Sequence, residues 1–363
     1  MKSFIRLSAA IIFLSGFLVS CDKSNDKNNN QDYQFKNGVF VLDEGNYSDA
    51  DGEITFINFT NSDVRHNVFK NANGRPFAGL VQSLTIYNGK GYLIDQLGRM
   101  EVVDPLTFKS AGSITSGLTL PRYIAASGNT GFITDWGPYD ASYNNPDSKI
   151  VAVDLDDLSI TDSVSTLSRP EGIAVSGNHV FVANSASQYI TVYSTASLSL
   201  EKQIEVAYGP TTFVSDKYGD LWVVSTGTDS TRSVISSIDV NSMTVATFVT
   251  MPEGLHLNGR IAINGSGDIV YVMSESWAPD YSYSTNNVFS QPVDRDSFSY
   301  SSLISGKNFY GLGVDPVNDN IYLSDARNFQ TQGIIYAYSD SGNLLDSAQV
   351  DRGPRDFVFV EGQ

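Results

Sequence analysis

The chain reads as an all-β protein, a seven-bladed β-propeller of four-stranded blades, and three observations predict this. One short pattern recurs: Pro, two variable residues, then a small apolar run. It stands at Pro121-Arg122-Tyr123-Ile124-Ala125, Pro170-Glu171-Gly172-Ile173-Ala174, Pro210-Thr211-Thr212-Phe213-Val214 and Pro354-Arg355-Asp356-Phe357-Val358. Three further segments match without the Pro, at Val81, Asn258 and Phe309, and the seven starts are spaced by 40, 49, 40, 48, 51 and 45 residues. That period suits one four-stranded blade. Behind the first six starts a second β-rich run follows a turn: GYLID, GFITD, VFVAN, LWVVS, VYVMS and IYLSD. Finally, the two ends complement each other. GPRDFVFV is a first strand with no blade behind it, and NGVFVLDEGN is a second strand with no first strand before it. Pairing them makes a composite seventh blade and leaves no free sheet edge at the seam.

In chain order, residues 1–20 carry Lys2 and Arg6 ahead of a short apolar run from Ala9 to Val19, the pattern of a secretory signal peptide. The run ends in Leu18-Val19-Ser20-Cys21, which resembles a bacterial lipobox, so Cys21 is the expected lipidation site. Cys21 is also the only cysteine, which rules out an internal disulfide. Residues 21–36 then form a polar tether with the composition of a disordered segment. The propeller is expected over 37–363, with third strands such as MEVVD, IVAVD, ITVYS, ISSID and IIYAY and weaker fourth strands such as SAGSI and EKQIEV. No stretch shows convincing helical periodicity.

The formal charge of −17, with no basic patch, argues against nucleic acid and leaves the lipid anchor as the only expected tie to a membrane. A localisation as an outer-membrane lipoprotein exposed on the cell surface follows as an expectation.

In a propeller the first strand lines the central channel. Loops after second strands and loops entering first strands therefore open on the same face. Those loops carry Tyr47, Asp95, Arg99, Arg122, Asp135, Trp136, Tyr139, Tyr143, Asn184, Tyr189, Trp277, Tyr281, Tyr283, Arg327, Phe329 and Arg355, the candidate ligand-binding set. The two longest, TDWGPYDASYNNPDS and SESWAPDYSYSTNN, lie three blades apart and face each other across the ring. Opposite turns such as NGKG, SGNT and NGSGD are tight hairpins with few rings. Tyr, Trp and Arg give rigid contact area with a polar handle, so a binding face is expected on the long-loop side. The competing reading is that such rings only pack against neighbouring blades.

No catalytic motif appears, and a non-enzymatic role is expected. Of three His, only His256 falls on the long-loop face. Asp43, Asp95, Asp135 and Asp325 end second strands. They either cap turns or ring a structural Ca²⁺, and no metal site or cofactor is assigned. A lactonase or lyase would have to use Asp135, Asp325 or His256.

The stretch VFVANSASQYITVYS closely resembles the YVTN-type repeat of bacterial surface and quinoprotein-like propellers. The lipobox, the Asp- and Asn-rich tether and the opening GVFVLDEGN together resemble the surface propeller lipoproteins of gut bacteria that capture vitamin B12 and related corrinoids. That resemblance implies a corrinoid held as ligand rather than cofactor, and a TonB-dependent outer-membrane transporter as partner. It carries over no individual contact residue. A glycan is the alternative ligand, since sugar faces also stack on Trp and Tyr.

Overall fold

Each recurrence of the Pro-led pattern folds as the inner strand of a blade. The structure, a computed structural model, describes residues 34–277, 284–295 and 297–362. The inner strands are Val81–Tyr87, Pro121–Ser127, Pro170–Ser176, Pro210–Ser215, His256–Ile263, Gly311–Val314 and Pro354–Val360. Each heads a four-stranded antiparallel sheet, and seven sheets surround one axis. We number blades 1 to 6 from Val81 onward. Blade 7 combines the C-terminal strand with Gly38–Asp43, Glu53–Asn58 and Val64–Arg65. Within it, Val39 pairs with Phe359, Phe40 with Val358 and Val41 with Phe357, so the ring closes at the seam.

The second strands have almost no solvent-exposed residue, because both of their faces pack against adjoining blades. Between blades 2 and 3, Phe132 and Ile150 meet Val180, Val182 and Tyr193. Between blades 7 and 1 the layer is aromatic, with Phe35, Phe40, Phe56, Phe69, Phe77 and Phe108. Each such side chain contributes about 1.5–3 kcal/mol by leaving water. Trp222 is in the core as its second-strand position implies, its indole N–H donating to Asp216 at 2.8 Å.

One element departs from the sequence reading. A short helix, Val68–Asn73, links blade 7 to blade 1 and buries Val68 and Phe69. One and a half turns are too few to leave a readable 3.6-residue period. Its first amides, from Phe69 and Lys70, donate to the buried Glu53 carboxylate at 3.2 Å each.

The segment Asp49–Glu53 is a clasp on the seam. Asp49 and Asp51 both pair with Arg352 in the run leading into the last strand.

A second irregularity positions the site. In six of the seven inner strands the ladder to the second strand gains one or two extra residues at the long-loop end. Pro121 faces Asp135 and Ile124 faces Ile133, for instance, so Arg122 and Tyr123 fall in a bulge. A bulge re-aims side chains out of the alternating pleat. The variable pair of the repeat is thereby released from the ladder at the mouth of the channel. Inner strands approach so closely there that a Cβ on Gly172 would sit 2.4 Å from the Thr211 carbonyl oxygen.

Candidate functional site

The released residues, with Tyr310 of the unbulged blade 6, line a cavity of about 550 Å³ at the channel mouth on the long-loop face. Arg122, Glu171, Thr211, Gly259, Tyr310 and Arg355 occupy the position just after the Pro, or its counterpart, in six repeats. Tyr123, Thr212 and Arg260 occupy the next position, and Trp136, Ala326, Arg327 and Phe329 come from loops after second strands.

The mouth is asymmetric. On the side of blades 7, 1, 2 and 3, charged groups form a bar. Arg122 grips Glu171 through Nε and Nη2, both at 3.0 Å, and its Nη1 donates to Gln96 at 2.8 Å. Glu171 is also 3.9 Å from Arg355, which reaches Glu44 at 3.3 Å. The Tyr310 hydroxyl donates to Glu44 at 2.6 Å. Burial would raise the Glu44 pKa, but Arg355 above all, then the Tyr310 hydroxyl, Arg260 and Arg122, hold it below the ordinary carboxylate value. Burial pushes the Tyr310 phenol up. Burial opposes the charge on Arg355, yet Tyr310, Glu44, Tyr123 and Glu171 hold its pKa well above the usual value.

The side of blades 4, 5 and 6 is open. Arg260 donates through Nε to the Tyr310 carbonyl at 3.1 Å and lies 5.2 Å from the Tyr310 ring centroid. Phe329 meets the same ring edge-on at 5.2 Å. Directly below, Tyr123, Arg260 and Asp356 line a smaller cavity of about 170 Å³ in the channel. Enclosure there raises the Asp356 carboxyl, partly offset by Arg260.

Several buried polar atoms at this mouth have no protein partner among the described residues: Trp136 Nε1, Arg355 Nε and Asn286 Oδ1. Leaving such groups unpaired costs about 1–3 kcal/mol each, so solvent or a ligand is the expected partner.

The family model described as a domain of unknown function, DUF5074, matches residues 37–355. The chain belongs to that family. No curated protein shows significant sequence similarity to it. Among solved structures, it is similar to a quinoprotein alcohol dehydrogenase-like protein from Bacteroides thetaiotaomicron VPI-5482. The two share 13% identity over 90% of this chain and 79% of that one, with a TM-score of 0.69. A functionally unknown protein from Desulfotomaculum acetoxidans DSM 771 matches at 10% identity over 90% and 100% of the chains, with a TM-score of 0.66. The periplasmic gluconolactonase of Pseudomonas aeruginosa matches at 14% over 89% and 98%, with a TM-score of 0.65. At these identities the likeness speaks for the propeller fold alone.

Of the residues picked from the sequence, the cavity brings together Arg122, Trp136, Arg327, Phe329 and Arg355. Trp136 is held between two guanidinium groups, Arg122 at 4.4 Å and Arg169 at 5.4 Å from its ring. Such contacts position the indole as much as they expose it. Tyr47, Tyr139 and Tyr143 stand in solvent outside the cavity, at 79%, 50% and 77% exposure. Tyr139 and Tyr143 lie 6.4 Å apart, and the Tyr143 carbonyl accepts from Arg169 at 2.7 Å, tying that loop to Trp136.

Four polar candidates are committed to internal structure. Asp135 accepts the amides of Thr119, Leu120 and Gly137 at 2.8–2.9 Å. Asp95 accepts those of Leu80 and Leu97 and pairs with Arg99 at 3.4 Å. Arg99 also donates to the Phe77 carbonyl and covers the Phe77 ring. Asn184 is fully buried, bonded to Val182, Tyr189, Thr191 and Thr166. These side chains pin the loops that enter or leave the strands, which is the turn-capping role. Tyr189 is half-buried at the start of a third strand. Trp277 ends the second strand of blade 5; its side chain, with Tyr281, Tyr283, Cys21, the leader and the tether through residue 33, lies outside the described residues. Among the described residues no group of three His, Cys, Asp or Glu is arranged to hold a metal.

Sequence reasoning passed over Glu44, Glu171 and Asn286, and did not place Arg260 or Tyr310 among its site candidates. The signal was present for three of them. Glu171, Arg260 and Tyr310 fill the variable slots of the repeat, the same slots as Arg122, Tyr123 and Arg355.

Proposed function

We propose that this protein captures a small ligand at its channel mouth. The observation that carries the reading is the 550 Å³ cavity, whose size is that of small-molecule sites and whose lining mixes rings with convergent polar groups. On this reading Cys21 bears the lipid and the protein works at the cell surface beside a TonB-dependent transporter.

A corrinoid is the ligand favoured by the resemblance of GVFVLDEGN. Its amide fringe suits the Arg and Asn groups of the mouth, and its macrocycle, broader than the cavity, would rest on the rim beside Tyr139 and Tyr143. Incubation with cyanocobalamin followed by gel filtration tests it: a red protein peak is expected, and a colourless one ends the corrinoid assignment. A glycan array run alongside addresses the sugar alternative.

The fold shared with a gluconolactonase makes lactone hydrolysis the reading to test against. Asp135 is committed to three backbone amides, and neither Asp325 nor His256 lines the cavity. Sustained turnover of gluconolactone by the purified protein would displace the binding reading.

A further inference from the structure

Four arginines and two glutamates, Glu171 and Glu275, line the mouth cavity among the described residues, with Glu44 beside Arg355 and Asp356 below Arg260. The arginines are not equally engaged. Arg122 and Arg355 are tied to Glu171 and Glu44, whereas the terminal amino groups of Arg260 have no hydrogen-bond partner among the described residues. Arg260 cannot swing away freely, because its Nε is held by the Tyr310 carbonyl and its plane lies near the Tyr310 ring. A guanidinium fixed at one edge presents its other N–H groups as a ready fork for a planar oxyanion. Two other donors at the mouth, Trp136 Nε1 and Arg355 Nε, are buried and also unpartnered. The vacant capacity is therefore mainly donor capacity, and it is flanked by the rings of Tyr310 and Phe329.

We infer that the ligand is an organic carboxylate, with its oxygens on Arg260 and its apolar body against Tyr310 and Phe329. This rests on the proposal that the mouth cavity is a ligand site, and it names the chemical class that site selects.

Benzoate and benzamide are the probes, having the same shape and differing in charge. The protein has three Trp, so its indole N–H signals in a ¹⁵N-labelled NMR spectrum are few, and a Trp136→Phe variant identifies the one at the cavity. Titration at neutral pH should move the Trp136 signal with benzoate binding about tenfold or more tighter than benzamide. Arg260→Gln should bring the two ligands level while the other indole signals stay in place. If that variant does not fold, the wild-type preference should still vanish below the pKa of benzoic acid. Equal binding of both probes, or binding of neither, overturns the carboxylate assignment, and a benzoate preference that survives in folded Arg260→Gln overturns the role of Arg260. Retention of cyanocobalamin by a protein indifferent to benzoate would sink this inference and leave the capture reading standing.

Discussion

Replacing Glu53 by Gln should change how stability depends on pH, and the size of the change follows from the seam. Glu53 is 7% exposed and lies near two further acids, the fully buried Asp43 and Asp351. Burial first, with repulsion from Asp351, lifts its pKa from 4.5 to about 7 despite the amides of Ile54, Phe69 and Lys70. An acid with a raised folded-state pKa holds its proton more tightly in the native protein. Its contribution is complete below about pH 4.5 and is lost as pH climbs through about 7. The shift corresponds to roughly 3 kcal/mol lost in full above that range. Gln carries no charge to desolvate, but it keeps one acceptor oxygen where the carboxylate had two, which costs about 1 kcal/mol. The variant should therefore be about 1 kcal/mol less stable than wild type near pH 4.5 and roughly 2 kcal/mol more stable near pH 8.5. Urea titrations at the two pH values measure this directly. An offset of the same size and sign at both would refute the claim that Glu53 is ionised against its environment.

Three other outcomes follow from the geometry. Trp136→Ala should weaken ligand binding by roughly 1–3 kcal/mol in calorimetry, as for an anchor ring; unchanged affinity would mean that the cavity is not the site. Glu171→Gln leaves the Arg122 guanidinium without its bidentate carboxylate and should destabilise by about 3–5 kcal/mol in urea, and an unmoved midpoint would show that Gln96 and solvent suffice. Truncation after Gly353 removes the strand Pro354–Val360 that closes the ring. It should abolish cooperative unfolding by circular dichroism, whereas a sharp transition would show that blade 7 stands without its inner strand.

The propeller was legible because its information is repeated. Five inner strands begin at the residue the pattern predicts, and the other two, His256–Ile263 and Gly311–Val314, begin two residues from it. The helix Val68–Asn73 was not legible, since it occurs once and is too short to show a period. The sequence also distinguishes the two ends of the ring, because the longest loops, after the second strands of blades 2 and 5, carry several rings where the opposite turns are mostly tight hairpins. What residue type could not reveal is whether a polar side chain still has capacity to offer. Asp135 is a site candidate in the sequence and Arg260 is not. Asp135 accepts three backbone amides, whereas among the described residues the Arg260 side chain is hydrogen-bonded through Nε alone. Only the geometry separates a cap from a contact.

That distinction explains why the variable pair of the repeat builds so much of the mouth, beside Trp136, Ala326, Arg327 and Phe329 from the loops after second strands. A residue in a regular inner strand takes part in the ladder, and its exchange disturbs pairing with the strand behind. In blades 2, 3 and 4 the bulge releases two residues from that duty while the Pro before them and the apolar run after them stay in register. Those slots can hold Arg in one blade, Glu in the next and Thr in a third without altering the core, as Arg122, Glu171 and Thr211 do. Symmetric repetition thus produces an asymmetric mouth, with a charged bar over blades 7, 1, 2 and 3 and an open pocket over blades 4, 5 and 6. Selectivity written into these slots is independent of stability written into the second strands. Exchanging Arg260 or Thr212 should therefore change what binds far more than whether the ring folds, whereas Thr211, whose hydroxyl holds the Val224 and Gly259 carbonyls, and Glu171, whose partner Arg122 is itself buried, should affect both.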